Sequence, residues 1–175
     1  MAKDINFQAT TFTAGEAGEI SGLNPMRQQN LRRHGYLPPT PRGTWTRYDL
    51  KMMGVLLIHG RCSDLAIPPK TAKAIIASAT TAAVFILGFA QKCAGAIDNP
   101  LGLATGKPIT FGPTQQLRRF LISYGIDVTF ENDIGEFYGK KWDADLSAAI
   151  VFDLKRLADQ LCERAGRPLW KVVES

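Results

Sequence analysis

Five arginines, Arg27, Arg32, Arg33, Arg42 and Arg47, fall with His34 between Ser21 and Tyr48, a window that contains no Asp or Glu. Guanidinium groups at this density bind polyanions: each donates in a rigid fork that fits phosphate oxygens or the O6/N7 edge of guanine. Gln28 and Gln29 sit among them and can pair bidentately with an adenine edge. The chemistry on offer is recognition of a charged polymer.

No comparable set of residues points to catalysis. Cys62, Cys93 and Cys162 are far apart, with no CxxC and no histidine at zinc-ligand spacing, so they read as reduced thiols. His59 stands among apolar neighbours with no second ligand nearby and reads as structural or surface-lying. Gly102, Gly106 and Lys107 fail the phosphate-loop pattern, having three residues between the glycines and Pro108 after the lysine. Six acids gather between Asp127 and Asp145 without a histidine, metal motif or nucleophile, as a solvated face would. We therefore expect no enzyme, no cofactor and no metal. The net charge of +5 decides little by itself, whereas its placement suggests different partners for the two ends of the chain.

The basic window requires elements that hold it outward. Thr13 followed by Glu16 has capping-box spacing and predicts a short helix to about Ile20, broken by Ser21, Gly22 and Leu23. Asn24 and Pro25 open the next helix, PMRQQNLRRH, which stops at Gly35. With few apolar positions, that helix belongs on the surface. Residues 36–48, with three prolines and a glycine before alternating aromatic and polar residues, predict a small hairpin. Its tip would carry Arg42, with Trp45 and Tyr48 packed on the helices. Asp49 caps a third helix in which Leu50, Met53, Leu57 and Ile58 recur on one face and close the core. A solvated helix and a proline-stiffened loop would use the same residue types. What favours recognition is the succession of capped helix, glycine turn and Arg/Gln helix.

The stretch TAGEAGEISGLNPMRQQNLRRHGYLPP resembles, without a gap, the MerR-type DNA-binding pattern TIGEVAKLTGVSPDTLRYYERHGLLPP. Thr13, Gly15, Glu16, Gly22, Pro25, Arg33, His34, Gly35, Leu37, Pro38 and Pro39 agree with it. The resemblance covers about 50 of the 175 residues and implies a winged helix-turn-helix. It implies that Arg27, Gln28, Gln29, Arg32 and Arg33 face the major groove while Arg42, Arg47 and Tyr48 hold the backbone from the wing. The caps Thr13 and Asn24 complete the expected DNA-binding set. Gln28, Gln29, Asn30 and Leu31 replace the family's Leu-Arg-Tyr-Tyr, which moves the likeness toward the MerR-like domains of excisionases and phage packaging proteins.

The expected fold class is α+β, with a DNA-binding domain over 12–66 and an oligomerisation or regulatory domain over 69–175, divided at Ile67, Pro68 and Pro69. The second part predicts an apolar helix from about Thr71 to Cys93, a short helix over Thr114 to Phe120, and antiparallel strands around 126–130 and 148–152. Its last helix, LKRLADQLCERA, carries Leu154, Leu157 and Leu161 on one stripe, expected either to meet the sheet or to join two copies, with PLWKVV as an aromatic anchor. The uncharged run Ala74–Ala90 is at the lower limit for a membrane span and reads as a core helix. The N-terminus lacks the apolar core of a signal peptide, so a cytoplasmic location is expected. These readings converge on a sequence-specific, homodimeric transcriptional regulator on double-stranded DNA. The alternative is a phage-type accessory factor, an excisionase or terminase small subunit.

Overall fold

The computed structural model describes residues 5–98, 116–124, 126–141 and 148–174. Short elements capped by their own side chains build the first half. Strand β1 (Ile5–Ala9) leads to helix α1 (Ala14–Ser21), where Thr13 Oγ1 accepts the Glu16 amide and Glu16 Oε2 accepts the Thr13 amide at 2.7 Å. Gly22, at φ +79°, ends α1 and turns the chain into α2 (Pro25–Arg33), capped by Asn24. After the loop 34–49, Asp49 accepts the Met52 amide at 2.7 Å and opens α3 (Leu50–Asp64).

Helix α3 is the hub of the molecule. Ten of its fifteen residues are buried, because α1 covers one side and another helix covers the opposite one. The apolar stretch that follows is two helices, α4 (Pro69–Ala77) and α5 (Ala79–Ala90), bent by 55° at Ser78. The bend replaces the single helix expected there. The Ser78 hydroxyl bonds back to the Ala74 carbonyl, a local competition with the helix ladder that favours bending. No single described helix is long and apolar enough to cross a membrane; only the bent pair passes on length and composition. Gly54 of α3 lets α5 approach so closely that a β-carbon there would lie 2.7 Å from Ala83 Cβ.

Strand β2 (Ile97–Asp98) follows, then β3 (Phe120–Tyr124), β4 (Asp127–Glu131), α6 (Ile134–Lys141), β5 (Ile150–Asp153), α7 (Leu154–Ala165) and β6 (Trp170–Glu174). They form two three-stranded sheets, so the α+β class holds. In one, β6 lies between antiparallel β1 and parallel β2, pairing Ile5 with Glu174. In the other, β3 lies between β4 and β5, both antiparallel. Phe120 opens a strand where a helix was expected to finish, and residues 116–119 have no regular structure. The Gly102–Lys107 stretch, the expected helix start at Thr114, and Asp143 and Asp145 lie outside the described residues.

The stripe of α7 is corrected in a way that matters for assembly. Leu154, Leu157 and Leu161 are buried within the chain, where α7 packs on α5, on α1 and on β3, and so they are not free to join a second copy. Trp170, expected to anchor such a contact, is likewise buried, on the central strand β6. The prolines do break the chain between α3 and α4, but the apolar core runs on from Phe12 through α3, α5 and α7 to Trp170. Polar ties cross the same seam: Arg164 donates to the Ile20 carbonyl at 2.7 Å, and Arg167 meets Glu16 at 2.9 Å.

Candidate nucleic-acid interface

The placement of α2 rests on one buried side chain. Gln28, only 1% exposed, donates from Nε2 to the Leu23 carbonyl at 2.7 Å and to the Ala14 carbonyl at 3.0 Å, tying α2 to the turn and to the start of α1. This corrects its assignment as a base-reading residue: its amide NH2 is spent on the scaffold and its Oε1 is buried. Leu31 is turned the same way and packs against the core. With positions 28 and 31 facing inward, the helical period sends Met26, Gln29, Asn30 and Arg33 outward at the three- and four-residue spacing of a single face. All four are exposed, Met26 by 72%. Arg27 is also exposed, on the flank about 100° round from Met26.

A loop stands across from this face. Its two ends are fixed: Tyr48 and Phe12 exchange both backbone hydrogen bonds, at 2.8 and 2.9 Å, and Arg32 donates to the Pro38 carbonyl. At the tip, the Thr44 hydroxyl and amide donate to the Pro41 carbonyl, Gly43 takes φ +74°, and the Thr40 and Thr46 hydroxyls meet at 3.1 Å. The expected hairpin is thus a tied loop without a strand ladder. Pro38, Pro39 and Pro41 have no amide hydrogen with which to build one.

Between loop and helix lies a cleft of about 780 Å³, walled by Met26, Gln29 and Arg33 on one side and by Pro39, Thr40 and Thr46 on the other. The cations around it differ in availability. Arg32 is half-buried, with its guanidinium 4.6 Å from the centre of the Tyr48 ring, so it braces the loop. Tyr48 is 2% exposed and belongs to the core, which removes it from the expected backbone contacts. Arg27, Arg33, Arg42 and Arg47 are exposed and have no acidic partner among the described residues. By contrast, Arg61, Arg119, Arg156 and Arg167 each pair with a carboxylate. Thr13 and Asn24 are exposed, and their side chains serve as caps. Glu16, accepting the Thr13 amide and facing Arg167, titrates below the usual carboxylate value, so it stays an anion committed to the scaffold.

Two exposed groups escaped the reading of the sequence. Asn30 lies on the outward face, and the spacing from Met26 to Arg33 would have shown it once Leu31 was taken as the inward marker. Trp45, expected to pack on the helices, is 91% exposed. Nothing local distinguishes a packed from a displayed tryptophan.

Elsewhere the titratable groups are structural. Burial pushes the Cys62 thiol up to about 11 and raises those of Cys93 and Cys162, so all three resist forming thiolate. His59 is buried with a pKa lowered to about 4, its ring 5.3 Å from that of Tyr36. Glu131 and Glu136 share Lys140 at 3.8 Å, and Asp133 accepts the Gly135 amide at the start of α6. No group of three or more His, Cys, Asp or Glu able to hold a metal ion occurs among the described residues. No protein-family model matches the chain, and no curated protein matches it.

Proposed function

We propose that this chain is a non-enzymatic, sequence-specific DNA-binding protein of MerR-like winged helix-turn-helix type that regulates transcription. The outward face of α2 enters the major groove of double-stranded DNA, and the loop lies along the backbone. The observation that carries this reading is the set of four exposed arginines, Arg27, Arg33, Arg42 and Arg47, without acidic partners among the described residues, on one helix and the loop across from it. Gln29 and Asn30 supply amides that can pair with adenine, and Arg33 a fork for guanine or phosphate. One such head makes few contacts, so two copies on a repeated cytoplasmic DNA site provide the affinity. Their contact lies outside the α7 stripe.

Selection of binding sites from a random duplex pool tests this. A recovered motif with two half-sites at helical-turn spacing is expected; recovery of unselected sequence contradicts specific readout. A second reading, an accessory factor that shapes DNA during phage recombination or packaging, is favoured by the inward turn of Gln28 and Arg32, which leaves few base-reading groups. The mass of the complex separates the two, since a dimer belongs to the regulator and a ring of many subunits to packaging.

A further inference from the structure

Trp45 exposes 91% of its surface, although indole is among the costliest side chains to leave in water. The loop that carries it is nonetheless tied. The Pro41–Thr44 turn and the Thr40–Thr46 hydroxyl pair hold the residues around it, and three prolines stiffen the approach. On either side in sequence stand Arg42 and Arg47, both exposed and without acidic partners among the described residues. An aromatic plate on a stiff support, flanked by cations, is complementary to a stack of bases between two rows of phosphate. A protein surface would match the indole without requiring the arginines.

We propose that Trp45 is a wedge that enters a base step of the duplex from the groove, partly unstacking and bending it while Arg42 and Arg47 hold the adjoining phosphates. The proposal rests on the DNA-binding reading above and adds to it a mode of action: recognition through deformability of the site, at steps the outward face of α2 does not touch. Such a wedge favours duplexes in which a step is already weakened, because less stacking has to be given up.

The test uses the full chain with two end-labelled duplexes of about 30 base pairs, identical except for one central mismatched pair, at low salt. Binding is read by anisotropy and bending by energy transfer between the ends. Wild type should bind the mismatched duplex about tenfold tighter than the paired one, the scale of one base-aromatic stack, and should shorten its end-to-end distance. Trp45→Ala should bind both duplexes alike, retain salt-dependent binding to the paired one and bend neither; Trp45→Phe should keep part of the preference. Because the side chain is exposed, these variants should melt as wild type does. Equal binding by wild type to both duplexes, or a preference that survives Trp45→Ala, overturns the wedge and leaves the DNA-binding reading intact. Failure of wild type to bind either duplex removes both. Self-association without DNA that is lost in Trp45→Ala would assign the indole to a protein contact and overturn the proposal.

Discussion

Gln28 and Arg33 lie five residues apart on one helix and are placed oppositely, the first buried where it fixes the helix and the second exposed on the face proposed to meet DNA. His59 belongs with Gln28. Its ring is buried against Tyr36, with Nε2 unpartnered, and burial lowers its pKa from about 6.5 to about 4. The folded state therefore binds a proton less readily than the unfolded chain does. The resulting stability is fully present above pH 6.5 and is lost as pH falls toward 4, by about 3 kcal/mol. Urea midpoints measured across that window should decline in wild type and decline less in His59→Phe, which keeps an aromatic ring beside Tyr36. A variant with the same slope as wild type would show that the imidazole is not held neutral.

Helix α7 was legible as an element, from its Asp153 cap to its Gly166 stop, but its partner was not. An apolar stripe states that something covers it; only the three-dimensional path of α5 and α1 states what. With Leu157 buried inside the protomer, Leu157→Asp should place a carboxylate in the core and cost about 3 kcal/mol or more in urea unfolding. A stable, folded variant of lower oligomeric mass would instead put the stripe at an interface. The same distinction runs through the other elements. The caps Thr13, Asn24 and Asp49 act within three residues, and each was readable in order. Strand β6 was not, because it finds its partner β1 across almost the whole chain and its WKVVE segment has no turn beside it to mark a hairpin. At the site, the arginines were legible as types, whereas the inward turn of Gln28, Arg32 and Tyr48 depends on what lies beneath them.

At the scale of the molecule, the basic face is mounted on a core shared with the rest of the chain. Helix α3 presses Gly60 so near Ser21 that a β-carbon there would run into the Ser21 carbonyl, and its Gly54 side also fits closely on Ala83. A fragment ending at residue 66 would bare the α5-facing side of α3. It should therefore lack a cooperative melt, while the full chain melts in one transition; an independently folded fragment would contradict a shared core. That rigid mounting is what permits four cations to be displayed together. The dependence of duplex affinity on salt tests the display most directly. Wild type should show a slope of about −3 to −4 in log K against log salt for each bound copy, and the variant with Arg27, Arg33, Arg42 and Arg47 all changed to Ala should show a slope near zero with its thermal stability retained. A wild-type slope near zero, or one unchanged by removing the four arginines, would contradict the account.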